Sequence, residues 1–302
     1  MGHALFDASS APLMPLNAVQ RWLYSWWPSR RLGFDPQENL QIDGRYVPVS
    51  IANWKLIPPI ARQLLSQRSA RPLTFENGRR LSVIVPFRDR DAHLTQLVPA
   101  LSNQLRSQSI EPRILVVEQT NPGPFNRGRL LNIGAHFAAD ESDYFCLHDV
   151  DAIPLQANYL CPSQPLRLVN RIVTEQGEQH RERHYFSGAI SIRKEQFFAA
   201  NGFSNEYWGW GKEDDDFFFR LLMAGYLCYF DLQGRFKDLP NPPAQQRSPK
   251  PAAGDCVKSN RKRRSRLLRG LDDPMTDGLN TLRYEVSSRR RDGRFEIVSV
   301  RW

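Results

Sequence analysis

Residues 143–151 read Asp-Tyr-Phe-Cys-Leu-His-Asp-Val-Asp, a largely apolar run that ends in two aspartates one residue apart. Its length suits a buried strand, and runs of similar character precede it at Leu81–Phe87 and Arg113–Gln119. Segments 91–107 and 127–139, which lie between these runs, are predicted helices. Strands that alternate with helices predict an α/β fold, with a Rossmann-like, mostly parallel central sheet and flanking helices. Its ligands would bind where the strands end.

Further elements follow this core along the chain. The predicted elements are a strand at 185–192, helices at 194–201 and 214–225, and strands near 281–286 and 295–301. Residues 234–275 are rich in Pro, Lys and Arg and predict a mobile basic loop. This order indicates one domain over residues 76–302.

Residues 1–75 differ from the rest because they are proline-rich and irregular. They predict an extension that either wraps the core or contacts a membrane surface. Within it, residues 16–31 are aromatic and basic, which is typical both of a peripheral membrane anchor and of a flap packed on the domain.

Composition places the chain among globular proteins: of its 302 residues, 41% are hydrophobic and 11% aromatic. No apolar run is long enough to span a bilayer, and no signal-peptide core is recognisable, so we expect a cytoplasmic protein, peripheral at the membrane at most. The four cysteines lack zinc spacing and are expected to be reduced thiols. The net charge of +9 suits a nucleotide or phosphate partner. The basic blocks at 258–269 and 289–294 are typical of solvated loops, so we expect no nucleic-acid partner.

Residues 207–216 hold two tryptophans, two glycines and four consecutive carboxylates. A helix N-terminus accommodates such acids because its free N–H groups and dipole favour negative charge. Tryptophan beside a polar site is suited to stacking on a sugar ring. The alternative is an acidic capping segment beside a core helix.

Asp149 and Asp151 follow a predicted strand, so alternate residues can direct both carboxylates into one crevice. Oxygen ligands of this kind suit Mg²⁺ or Mn²⁺ that bridges a diphosphate. The alternative is a polar strand end with an Asx turn.

Residues 86–90 and 125–129 each offer an aromatic face for a base and guanidinium groups for phosphates. Either segment alone is typical of a surface loop. Together with the two aspartates and the acidic helix start, they predict a nucleotide-sugar site.

The ordered motifs resemble those of the β-1,4-galactosyltransferase family, including its xylosylprotein branch, and the resemblance covers about residues 80–286. The motifs that carry it are 84–90, 125–127 with 130–134, 148–154, 185–189, 201–203 with 207–216, and 277–284. The resemblance implies a GT-A catalytic domain and an inverting transfer of galactose from UDP-galactose to a sugar hydroxyl, in a β-1,4 linkage, for glycan or polysaccharide synthesis.

The resemblance also implies residue roles. Asp214 would be the general base, with Glu213 beside it, and Asp151 would ligate Mn²⁺. The implied donor-binding residues are Pro86, Phe87, Arg88, Arg90, Phe125, Arg127, Asp149, Val150, Gly188 and Trp210. The implied acceptor and sugar contacts are Tyr185, Tyr207, Trp208, Gly211 and Asp215. A tyrosine at position 185 goes with galactose rather than N-acetylgalactosamine in this family.

One departure concerns the metal. The family uses a histidine after the acidic helix, whereas the last histidine here is His184. Asp238 could substitute, the metal could bind weakly, or basic residues of 247–269 could neutralise the diphosphate instead. The alternatives are therefore a transferase with another donor such as UDP-GalNAc, and a catalytically weak glycan-binding protein.

Overall fold

The computed structural model describes residues 45–48, 73–111, 113–174, 176–180, 186–240, 253–269, 271–293 and 295–302. Its helices are α1 Asp91–Arg106, α2 Arg127–Ala138, α3 Lys194–Ala199, α4 Glu213–Met223 and α5 Ala253–Leu268. Its first eight strands are β1 Tyr46–Pro48, β2 Phe75–Glu76, β3 Leu81–Phe87, β4 Arg113–Gln119, β5 Tyr144–His148, β6 Ala152–Gln156, β7 Cys161–Pro162 and β8 Leu166–Arg167. The others are β9 Arg171–Thr174, β10 Gly177–His180, β11 Ala189–Arg193, β12 Tyr229–Asp231, β13 Arg235–Asp238, β14 Glu285–Asp292 and β15 Phe295–Arg301.

Nine of the described strands form the main sheet in the order β1-β12-β8-β11-β5-β3-β4-β15-β14. The four central strands β5, β3, β4 and β15 are parallel, as is the pair β12–β8, and antiparallel pairs complete the sheet. The predicted α/β fold with a parallel core is therefore confirmed. Because consecutive parallel strands end at the same edge, the segments after β3, β4 and β5 lie together.

The core around β3 is tightly packed. Every residue of β3 is buried, as expected for a strand covered on both faces. Gly134 lets α2 approach this strand, since a Cβ there would lie 2.3 Å from Cγ2 of Ile84. The close approach fixes the start of α2 relative to the ends of the central strands.

A second, four-stranded sheet in the order β10-β9-β13-β6 lies beside the main one. Its pair β6–β13 sets Asp238 opposite Ala152. The sequence predicted neither this sheet nor α5, because residues 234–275 were expected to be a mobile loop. That prediction is wrong for Arg235–Asp238 and Ala253–Leu268, which are a strand and a helix.

Other predicted boundaries also shift. The strand expected near 281–286 begins at Glu285, because Leu279–Thr281 forms a 3₁₀ turn. The strand expected at 185–192 runs from Ala189 to Arg193. The eight residues of β14 are all exposed and include Arg289, Arg290 and Arg291.

Part of the predicted extension contributes to the main sheet. Strand β1 pairs with β12, and the Arg45 guanidinium donates to both carboxylate oxygens of Asp231 at 2.9 Å. Most of residues 1–75, including 16–31, lies outside the described residues, so the predicted domain boundary at 76 stays a prediction. Within the described ranges, no helix is both long and apolar enough to cross a bilayer.

Candidate active site

Asp149 and Asp151 follow β5 at the end of the parallel core. The Asp149 N–H donates to the carbonyl of Gly188 at 2.7 Å, and the Leu239 N–H donates to the carbonyl of Asp151 at 2.9 Å. Val150, which lies between them, is buried. Backbone bonds from two neighbouring segments therefore hold this turn, with both carboxylates at the strand end.

Burial raises the pKa of the Asp151 carboxyl to about 6, and the negative charges of Asp149 and Asp238 add to the increase. The positive charge of Arg90 opposes it. The carboxylate of Asp238, at the end of β13, is therefore close enough for its charge to act on Asp151. A cation bound beside Asp151 would relieve this mutual repulsion.

The acidic run is the first turn of α4, as the sequence predicted: Glu213, Asp214, Asp215 and Asp216 all lie there. The last two are paired. Asp215 accepts from Lys212 Nζ at 2.9 Å and lies 3.1 Å from Nε of Arg264. Asp216 is buried and accepts from Arg220 Nε at 2.5 Å.

Arg127 brings three separate motifs together. Its Nε donates to Oδ1 of Asp149 at 2.7 Å, and its Nη1 lies 3.9 Å from Oε1 of Glu213. Arg127 is the first residue of α2, and the Asn126 side chain caps that helix by accepting from the Arg129 N–H at 3.0 Å. The cap thus positions a guanidinium between the strand end and the acidic helix start.

Glu213 and Asp214 are the less compensated acids of the run. Burial raises the pKa of Glu213 to about 7, with the charge of Asp214 adding to the increase and Arg127 opposing it. Burial also raises the pKa of Asp214, with Asp215 adding to the increase. A carboxylate with a raised pKa accepts a proton more readily at neutral pH, which suits a general base.

The two arginine–aromatic segments meet beside this centre. Arg88 Nη1 donates to the carbonyl of Gly123 at 2.9 Å, and its guanidinium lies 5.4 Å from the centre of the Phe125 ring. Pro86 and Phe87, both predicted to contact the nucleotide, are buried within β3. Arg88 and the half-buried Phe125 are therefore the accessible part of the predicted base pocket.

The Trp loop, residues 207–212, connects the base pocket to α4. The Gly209 N–H donates to the carbonyl of Phe125 at 2.8 Å. The Trp210 side chain is 79% exposed, as suits a residue that closes over a ligand, and Gly211 adopts a φ of 91°.

The structure corrects one acceptor prediction on this loop. Tyr207 is only 2% exposed and its hydroxyl is bonded to Asp216, so it supports the loop from the interior. The half-buried Trp208 packs against Trp302, with ring centres 6.3 Å apart, and its predicted contact with the acceptor stays a prediction. Tyr185, the predicted selector for galactose, lies outside the described residues.

Within the described residues, the metal ligands predicted from the sequence do not form a preassembled centre. Among the residues that the structure describes, no three His, Cys, Asp or Glu side chains are grouped closely enough to hold an ion. Asp238, at the end of β13, lies close enough to Asp151 for its charge to raise the pKa of that carboxyl. One or two carboxylates suit Mg²⁺ or Mn²⁺ that takes its other ligands from a diphosphate and water, so the residues present fit a cation that binds together with the donor.

Sequence reasoning missed Asn260 on α5. This residue is 3% exposed and its Nδ2 donates to carbonyls of the Trp loop. A signal was available: Cys256, Asn260 and Leu267 share one helix face within an otherwise basic block.

Two family models match the chain. Residues 44–162 match the N-terminal region of glycosyl transferase group 7, and residues 168–236 match a model described as the N-terminal domain of galactosyltransferase. The chain belongs to the β-1,4-galactosyltransferase family. This membership and the GT-A fold confirm the resemblance seen in the sequence.

The relatives delimit the shared part. β-1,4-galactosyltransferase 7 of Drosophila melanogaster is 40% identical over 153 residues, which are 48% of this chain and 46% of that protein. β-1,4-galactosyltransferase 1 of Homo sapiens is 34% identical over 227 residues, which are 73% of this chain and 54% of that protein. The chain thus spans about half the length of these relatives.

Solved structures agree with the fold. The catalytic domain of the Drosophila galactosyltransferase 7, in complex with xylobiose, superposes with a TM-score of 0.62 at 29% identity, and covers 74% of this chain and 93% of that one. A mutant of the same enzyme was solved with manganese, UDP-Gal and xylobiose, again with a TM-score of 0.62.

Proposed function

We propose that the protein is an inverting transferase that moves galactose from UDP-galactose to a hydroxyl of an acceptor sugar, with a β-1,4 linkage, in glycan or polysaccharide synthesis. The observation that carries the proposal is the double contact of Arg127 with Asp149 and Glu213. It joins the residues predicted for donor binding to those predicted for catalysis. Family membership supports the same reaction.

The proposed reaction is a single displacement. The acceptor hydroxyl attacks the anomeric carbon from the face opposite the diphosphate, its proton passes to the Asp214 carboxylate, and the bond between the anomeric carbon and the phosphate oxygen breaks. Because the pKa of Asp214 is raised, the carboxylate is basic enough to accept this proton near neutral pH.

Neighbouring residues hold the donor. Arg88 and Phe125 take the uridine, and Arg127 orients Asp149 toward the donor sugar. Glu213 accepts hydrogen bonds from sugar hydroxyls, and Trp210 excludes water when it closes over the site, so that transfer is favoured over hydrolysis. Asp151, with Asp238 beside it, would hold a divalent cation, which when bound neutralises charge on the leaving UDP.

The experiment is UDP release from a panel of UDP-sugars with xylose and N-acetylglucosamine acceptors, comparing the wild type with Asp214→Asn. We expect turnover with UDP-galactose that the substitution lowers by on the order of a thousandfold. The linkage is read from the product by nuclear magnetic resonance. Faster turnover with UDP-GalNAc than with UDP-galactose would show that the donor is UDP-GalNAc. UDP binding without turnover for any pair of donor and acceptor would favour the glycan-binding alternative.

A further inference from the structure

Asn260 makes an unusual set of hydrogen bonds to the Trp loop. Its Nδ2 donates to the carbonyls of Trp208 and Gly211 at 2.9 Å and lies 3.4 Å from the carbonyl of Trp210. The residue is buried on the inner face of α5. The side-chain amide of Asn260 therefore contacts three of the six backbone carbonyls of the Trp loop.

The last residue of the loop, Lys212, has a strained backbone conformation. Gly209 and Gly211 adopt left-handed φ values of 73° and 91°, which glycine tolerates. Lys212 also adopts a left-handed φ of 83°, which is unfavourable for a residue with a Cβ. Lys212 immediately precedes α4, and the bond from Asn260 holds the carbonyl of Gly211, which belongs to the peptide group that joins Gly211 to Lys212.

Helix α5 makes a contact on each side of Asn260, one with the Trp loop and one with α4. A Cβ at Gly209 would lie 3.1 Å from Cβ of Cys256, which leaves no room for a larger residue there without movement. One turn further along, Nε of Arg264 lies 3.1 Å from Oδ2 of Asp215. The helix therefore contacts both the loop and the first turn of α4.

We propose that Asn260 is a positioning residue for the transfer reaction: it fixes the Trp loop on α5 and thereby sets where Glu213 and Asp214 stand relative to the bound donor. It does not touch the reacting atoms and acts through the loop backbone. The inference rests on the proposed function for its kinetic consequence, whereas its structural part, the attachment of the loop to α5, is independent of catalysis.

The test is Asn260→Asp, which keeps the size of the side chain but replaces the donating amide by oxygens that repel the three carbonyls. The control is Ser259→Ala, on the exposed face of the same helix. We expect Asn260→Asp to lower kcat at least tenfold while the Kd for UDP, measured by calorimetry, changes less than twofold, because the uridine pocket lies at Arg88 and Phe125. Ser259→Ala should leave both unchanged.

Amide hydrogen exchange provides the second readout. Exchange of residues 209–213 should become faster in Asn260→Asp while exchange of β3 and β4 stays the same. Asn260→Ala, which removes the N–H donors without adding charge, should show the same pattern. This variant replaces Asn260→Asp in the measurement if the aspartate variant does not fold. Unchanged kcat with unchanged loop exchange, or losses of kcat and UDP affinity in equal proportion, would overturn the proposal.

Failure of the two proposals can be told apart. A wild type without turnover on any UDP-sugar refutes the proposed transferase, while the exchange measurement still decides whether Asn260 holds the loop. An active wild type whose loop exchange does not respond to Asn260→Asp or Asn260→Ala refutes the positioning role alone.

Discussion

The hydroxyl of Tyr207 donates to Oδ2 of Asp216 at 3.0 Å, and this bond ties the first residue of the Trp loop to the first turn of α4. Asp216 also accepts a hydrogen bond from Nε of Arg220. The Nη1 of Arg220 donates in turn to the carbonyls of Pro274 and Asp277 at 2.6 Å. The candidate base Asp214 therefore lies on a helix whose first turn is held in place by a buried network of hydrogen bonds. Such a network is stabilising only while every member keeps its partners.

Tyr207→Phe tests this anchor. Removing the hydroxyl leaves a buried carboxylate short of a donor, so we expect the free energy of unfolding to fall by about 1–3 kcal/mol in urea titrations. Tyr284→Phe is the control, because the Tyr284 hydroxyl bonds the exposed His136 and its loss should cost less. An equal decrease in the free energy of unfolding in the two variants would show that the Tyr207 hydrogen bond stabilises the fold no more than an exposed one does.

Arg127→Ala should lower kcat/KM on the order of a hundredfold, because it removes a charged donor from Asp149 and Glu213. It should also move the acid limb of the kcat/KM profile to higher pH, since Arg127 lowers the pKa values of both Glu213 and Asp214. Initial rates measured across pH check both effects. Arg106→Ala, at the exposed end of α1, is the control, and an unmoved acid limb in Arg127→Ala would contradict the electrostatic role.

Glu213 should make the ligand-free protein less stable as the pH rises. Its folded-state pKa of about 7 exceeds the ordinary value of 4.5, so the folded state binds more protons between these values. The free energy of unfolding then falls as pH rises through this window. At about pH 8, Glu213→Gln should therefore be more stable than the wild type, by on the order of 3 kcal/mol at most.

Urea titrations at about pH 5 and about pH 8 measure this difference. Glu206→Gln provides the control, because Glu206 is exposed and should change stability little at either pH. A Glu213→Gln variant that gains nothing at the higher pH would show that Glu213 is not strained in the folded protein.

Metal dependence follows from the carboxylates at the ends of β5 and β13. We expect EDTA to abolish UDP release and Mn²⁺ to restore it, and Asp151→Asn to weaken Mn²⁺ binding in the presence of UDP, as followed by calorimetry. Asp238→Asn should weaken it less, on the order of tenfold. Full activity in EDTA would instead indicate that cationic side chains neutralise the diphosphate.

The sequence was most informative where one residue pattern has one structural outcome. The apolar runs of β3, β4 and β5 with their terminal polar residues predicted the parallel core, and the acids at 213–216 predicted a helix start. The convergence of Arg127 on Asp149 and Glu213 could not be predicted, because it depends on the packing of α2 against the sheet, which involves residues far apart in the chain.

Helix α5 was mistaken for a loop because its buried face is small. Cys256, Asn260 and Leu267 form that face, and the rest of the helix is largely Lys and Arg, so hydrophobic periodicity was weak. Its order comes from tertiary contacts with the Trp loop and Asp215. Tyr207 was misplaced for the opposite reason, since an aromatic residue beside a polar motif suits a sugar contact as well as a core position.

Among the described strands, β14 forms one edge of the main sheet. An uncovered sheet edge is a template on which another chain can add a strand. Here the strand carries Arg289, Arg290 and Arg291 in succession, so a further strand that paired along this part of the edge would have to approach three positive charges. The positive charge of this protein is thus not confined to the candidate site, since three of its arginines lie side by side on an exposed edge of the sheet.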